Sequence, residues 1–234
     1  MSTGAALGLV LAGMAAVNVW VHVGPRRLQP VVGPLAAAAL VLVARAAGLS
    51  WSQLGLGRQS LGRGAAVGAV AAGLVAVAYA VALAVPAFRP AFRDSRYRLG
   101  AGAALATALL AVPLGTVVFE EVAFRGVLWG LLAYRGTGWA TAGSSVLFGL
   151  WHVLPALAAA RTNTALRSHG RSVLLPVLGT VVFTAAAGVV FAELRRRTGS
   201  LAAPAGLHWA TNGFGVLASA WVWTVNRRPP GAAA

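Results

Sequence analysis

Long apolar runs constrain this chain more than any other feature. Several continue for about twenty residues, the length a helix needs to cross roughly 30 Å of hydrocarbon. They lie near Gly4–Val23, Val31–Gly48, Ala65–Pro86, Leu99–Ala133, Trp139–Ala160, Ser172–Leu194 and Ser200–Val225. A bilayer core offers no water to backbone N–H and C=O groups, so such runs are read as helices. The expected fold is all-α, a polytopic transmembrane helical bundle of about seven to eight helices. The range comes from Leu99–Ala133, which at 1.5 Å per residue would extend about 50 Å. A break at Pro113 or Gly115 would turn it into two spans. Ser50–Gly64 reads as a polar connector or interfacial helix, and Ala87–Arg98 as the most charged loop.

Composition removes the soluble alternatives. Apolar residues make up 59% of the chain and charged residues only 10%, against about a quarter in soluble domains. The net charge of +15 invites a nucleic-acid reading, but the arginines sit in short clusters between apolar runs. Arg26-Arg27, Arg89 to Arg98, Arg195 to Arg197 and Arg227-Arg228 are examples. Basic loops flanking spans follow the positive-inside rule, and anionic headgroups are their natural partner. The lipid bilayer is therefore an expected partner and nucleic acid is not. Arginine counted over alternate loops favours an outside N-terminus, although Arg195–Arg197 argues the other way. The first run has no positive region before it and reads as a span, not a cleaved signal. With no cysteine, disulfides and thiolate metal sites are excluded. Gly64, Gly68 and Gly73 have the spacing of a close helix contact. Abundant glycine explains them equally well and is the favoured reading.

The chain has four acids. Asp94 and Glu193 read as loop and helix-end charges, but Glu120 and Glu121 lie inside an apolar run together with Arg125. A charge at the centre of a membrane helix costs about 2.5–3.5 kcal/mol on the insertion scale. Glu121 and Arg125 are four residues apart, share a helix face and are expected to pair. Glu120 points about 100° away and has no partner on its own helix. Further polar groups follow on other runs: His152, closing Phe148-Gly149-Leu150-Trp151-His152, and His208 with Asn212 four residues on. His22 and His169 read as structural or solvated.

One carboxylate, two imidazoles and one amide on three helices suit water activation and oxyanion stabilisation. The absence of both cysteine and a G-x-S-x-G serine argues against an acyl-enzyme. Two histidines and a carboxylate also match an open zinc ligand set, which makes Glu120, His152 and His208 candidate Zn2+ ligands. No H-E-x-x-H motif is present. Intramembrane Glu and His also build proton relays in transporters, but neither repeats nor paired broken helices are visible. A non-catalytic scaffold or bacteriocin-immunity protein is the alternative from outside the enzymes.

The order Glu120-Glu121-Val122-Ala123-Phe124-Arg125, then Phe148 to His152, then His208 to Asn212, resembles the CPBP intramembrane proteases, the CAAX protease and bacteriocin-processing family. The likeness spans roughly Leu105 to Asn212, and no motif position departs from the pattern. The resemblance implies an intramembrane endopeptidase acting on a membrane-associated or prenylated-type peptide or protein. It implies that Glu120 and His152 activate water and that His208 and Asn212 form the oxyanion site. Glu121, Arg125 and Phe148 would then hold the architecture. It leaves open a metalloprotease or a glutamate-type mechanism. The expected organisation is residues 1–98 as N-terminal membrane helices, 99–228 as the catalytic core and 229–234 as a tail. The expected setting is a bacterial plasma membrane.

Overall fold

A computed structural model describes residues 1–162 and 173–225. His169, Ser172, Arg227-Arg228 and the expected tail lie outside the described residues. The described part is predominantly helical, with no strand. Its helices are α1 (Thr3–Val23), α2 (Gln29–Ala46), α3 (Arg58–Ala84), α4 (Ala101–Arg135), α5 (Thr137–Trp151), α6 (Val153–Thr162), α7 (Leu174–Thr198) and α8 (Ala202–Val225). Six stretches are long and apolar enough to cross a membrane: α1, α2, α3, α4, α5 continued into α6, and α7. The chain is thus an integral, multi-pass membrane protein. α8 falls outside that set; it carries His208, Thr211, Asn212, Ser219 and Thr224 along its 24 residues.

Local chemistry sets several helix ends. Ser2 caps α1 by accepting from the Ala5 N–H at 3.3 Å. Gly199 ends α7 in the left-handed region, at φ 71°, where a side chain would be strained. The connector after α2 is shorter than expected, because residues 58–64 already form the first turns of α3. In the loop before α4, Asp94 caps a short 3-10 turn and pairs with Arg96 at 2.6 Å. The Asp94 carbonyl accepts from Trp223 Nε1 at 3.0 Å and Ser219 Oγ at 3.2 Å, which ties this loop to α8.

The anticipated break in the fourth run does not occur. α4 continues through Pro113 because its backbone widens into π turns at Thr107–Ala111 and Pro113–Val117. Local π adjustment is one way a membrane helix absorbs the N–H that proline lacks. A third π stretch, Glu121–Leu128, holds the charged motif. Single π turns in α-helices frequently mark functional sites.

α4 runs through the interior. Phe119, Phe124, Val127 and Leu128 pack there with Val10 of α1, Leu40 of α2, Phe148 of α5 and Phe191 of α7. Large apolar side chains such as Leu74, Leu175 and Phe183 face outward. That inverts the soluble pattern, as lipid contact requires.

The glycine reading needs correction at two of three positions. A Cβ on Gly68 would lie 2.6 Å from the Ala202 carbonyl oxygen, and one on Gly64 2.4 Å from Ser200 Oγ. Gly206 faces the Gly68 backbone just as closely, with 2.8 Å left for its Cβ. α3 and α8 therefore meet backbone to backbone, and only Gly73 is unconstrained. Gly68→Val is expected to destabilise the fold by about 1–3 kcal/mol, the usual overpacking cost. Thermal unfolding in detergent measures it, and Gly73→Val, with no atom in its way, serves as the neutral comparison.

Candidate active site

The charged motif of α4 is fully enclosed. Glu120 is 6% exposed, and Glu121 and Arg125 are each 1% exposed. Arg125 NH1 meets Glu121 Oε1 at 3.3 Å, the pairing expected from their spacing. The same oxygen receives His208 Nδ1 from α8 at 2.7 Å. Arg125 also has aromatic rings around its guanidinium, with the centroids of Phe148 at 3.9 Å, Phe191 at 4.8 Å and Phe124 at 5.8 Å. Negative ring faces offset part of the cost of burying a cation. Phe148 and Phe191 reach His208 as well: Phe191 stacks on the imidazole at 5.1 Å and Phe148 meets it edge-on at 5.9 Å.

Glu120 takes its partners from other helices. Trp151 Nε1 donates to Oε1 at 3.0 Å. Oε2 has no hydrogen bond among the described residues and lies 3.7 Å from His208 Nε2. His208 thus stands between the two carboxylates, with Nδ1 bound to Glu121 and Nε2 turned towards Glu120. The 3.7 Å separation exceeds a direct hydrogen bond.

A helix break shapes the third part. Pro155 has no N–H, so the Trp151 carbonyl four residues earlier has no helical donor. α5 stops at Trp151, and α6 restarts at Val153 with Pro155 in its first turn, where the missing N–H is tolerated. The orphaned Trp151 carbonyl is taken by Asn18 Nδ2 of α1 at 3.0 Å. The break also sends the His152 N–H to the Gly149 carbonyl at 3.0 Å, which frees the Phe148 carbonyl for His152 Nδ1 at 2.8 Å. With that nitrogen donating, the neutral ring keeps Nε2 as its acceptor.

Glu120, Glu121, Arg125, Phe148 and His208 therefore come together. His152 joins only through Phe148, whose ring it meets edge-on at 4.6 Å, and makes no hydrogen bond to Glu120 or His208. Asn212 is exposed, although His208 one turn earlier is buried. Among the described residues, no three His, Asp or Glu side chains converge in a way that could hold a metal ion. Glu120, His152 and His208 therefore form no such metal-holding group among the described residues.

Three contributors escaped the sequence motifs: Asn18, Trp151 and Phe191. A signal for the first two exists in retrospect. Asn18 is a polar residue in an apolar run, and Pro155 strips the donor from Trp151. Asn18→Leu is expected to cost about 1–3 kcal/mol by leaving that carbonyl unpaired. Adding Pro155→Ala, which restores a helical N–H, is expected to return part of the loss in thermal unfolding.

Fold and site define a membrane-embedded carboxylate–imidazole cluster. A model of the family described as type II CAAX prenyl endopeptidase, Rce1-like, matches residues 102–214, which covers the whole cluster on α4, α5 and α8. Residues 102–214 belong to the CAAX protease family, the intramembrane endopeptidases that the three motifs resemble. No curated protein and no solved structure matches the chain.

Proposed function

We propose that this protein is an intramembrane endopeptidase of a bacterial plasma membrane that cuts prenylated-type or otherwise membrane-associated peptides, with residues 99–228 as its catalytic core. The observation that carries the proposal is the Glu120 carboxylate: buried, held on one oxygen by Trp151, and bare on the oxygen that faces His208. A carboxylate anchored on one side and unpartnered on the other suits proton abstraction from water.

In this reading Glu120 Oε2 takes a proton from a water molecule while its oxygen attacks the scissile carbonyl carbon. His152, with Nδ1 committed to Phe148, presents Nε2 as the second acceptor for that water. The new C–O bond leaves the carbonyl oxygen as an oxyanion. Asn212, exposed one turn beyond His208 on α8, donates its amide to that oxyanion, and a proton on His208 Nε2 supplies the second hydrogen bond. The C–N bond then breaks, and the proton held by Glu120 passes to the leaving amine. Glu121 and Arg125 fix His208 and stay out of the reaction.

The test uses purified full-length protein in liposomes with a prenylated peptide ending in a free carboxylate. Cleavage by wild type and its loss in Glu120→Gln and His152→Ala support the proposal. Cleavage retained at the wild-type rate in both variants defeats it. Alanine variants that keep a cellular phenotype while nothing is ever cut would favour the scaffold reading.

A further inference from the structure

Towards the C-terminal end of α4, beyond Glu120, a cavity of about 510 Å³ opens beside Arg195. It is built where several helix ends meet: the start of α1, the turn between α2 and α3, and the ends of α4 and α7. Arg195 is the lining cation. It stands three residues before the end of α7, about 4.5 Å of helix rise, which is headgroup depth in a spanning helix. It is 6% exposed. Nε donates to the Arg125 carbonyl at 3.2 Å and NH2 to the Gln53 carbonyl, and the guanidinium lies 4.2 Å from the Trp129 ring centroid. None of these partners carries a charge. Glu193, the nearest acid along the chain, is taken by Arg196 at 2.6 Å and Arg197 at 2.5 Å. Among the described residues Arg195 has no counter-ion. A buried charge without one is costly unless an anion joins it.

Ser52, Gln53 and Tyr134 add donors to the lining. NH1 of Arg195 makes no hydrogen bond among the described residues. Ser52 accepts from Gln59 through Oγ at 2.7 Å, so its own O–H hydrogen is uncommitted. Gln53 uses its oxygen to accept from the Ser50 N–H at 2.7 Å, which leaves its Nε2 free. Tyr134 accepts from Arg135 Nε at 2.8 Å and keeps its hydroxyl hydrogen. Among the described residues no carboxylate lines the cavity. Trp129 and Tyr134 supply the aromatic walls common at the membrane–water interface.

We propose that this cavity binds the phosphoryl group of an anionic phospholipid, with Arg195 as its counter-ion and Ser52, Gln53 and Tyr134 as supporting donors. A planar guanidinium fork and neutral hydroxyl and amide donors match phosphate oxygens. The position at the ends of spanning helices makes a lipid the source of that phosphate. The site is separate from the proposed proteolytic centre, and its test reads binding alone.

The experiment is native mass spectrometry of the full-length protein, titrated with phosphatidylglycerol or phosphatidylcholine. Wild type is expected to retain phosphatidylglycerol roughly fivefold better. Arg195→Gln is expected to abolish that preference. Arg195 also clamps two backbone carbonyls, so Ser52→Asp provides a second variant. Ser52 is exposed, an aspartate there still accepts from Gln59, and its charge would occupy Arg195 in place of the lipid. Loss of the preference in Ser52→Asp at an unchanged melting temperature supports the site. Equal retention of both lipids by wild type overturns the proposal, as does an unaltered preference in Ser52→Asp. Displacement of the lipid by millimolar inorganic phosphate would make the ligand a soluble anion and overturn the lipid assignment.

Discussion

Replacing Glu120 by glutamine is expected to lower kcat/KM for peptide cleavage by about 10²–10⁴-fold, the usual contribution of a positioned general base. The substitution keeps the side-chain shape, and the glutamine oxygen can still accept from Trp151 Nε1, so the fold should survive. What disappears is the proton acceptor at the bare oxygen near His208. Melting behaviour close to wild type together with lost turnover separates a catalytic effect from misfolding. Glu121→Gln provides the contrast. Its oxygen receives both Arg125 and His208, so that variant is expected to lose stability as well as activity. An unchanged rate in Glu120→Gln would move water activation to another group.

The largest stability effect is expected at Arg125. Arg125→Met removes one partner of an ion pair whose side chains are 1% and 2% exposed. The Glu121 carboxylate would remain buried with only His208 against it. Breaking a buried pair in this way costs about 3–5 kcal/mol. The guanidinium also fills the space between Phe148, Phe191 and Phe124. Arg125→Lys should fall between the two, because an ammonium keeps the charge but not the planar stacking. Combining Arg125→Met with Glu121→Gln should recover part of the loss by removing the stranded charge. Unfolding in mixed micelles measures all three, and additive losses in the double variant would argue against a coupled pair.

Much of this architecture is readable from the residues because its causes are local. Twenty-residue apolar runs dictate helices, and a four-residue spacing puts Glu121 beside Arg125 on any helical backbone. Pro113 misled because a kink is its ordinary outcome, whereas π turns absorb it here. Gly64 and Gly68 were indistinguishable from the chain's other glycines until α8 lay against them. The partner of His208 was equally hidden, since a spacing of 87 residues between it and Glu121 has no periodicity to read. Asn18 and Trp151 meet across 133 residues for the same reason. Glu120, Glu121, Arg125, Phe148 and His208 were therefore legible as polar and aromatic residues that come together, while the pairings that orient them belong to tertiary packing.

The single oxygen of Glu121 that holds both Arg125 and His208 has a consequence for descent. That atom holds both the buried ion pair and the imidazole of α8, so a lineage cannot shed it without loosening both. Glu120 bears no such double duty: its bond to Trp151 is one that glutamine preserves. A descendant that gave up hydrolysis but kept the membrane scaffold would lose Glu120 first and retain Glu121, Arg125 and the rings around them. Under the proposed mechanism the adjacent glutamates are open to separate fates, one guarded by the need to fold and the other only by the need to cut.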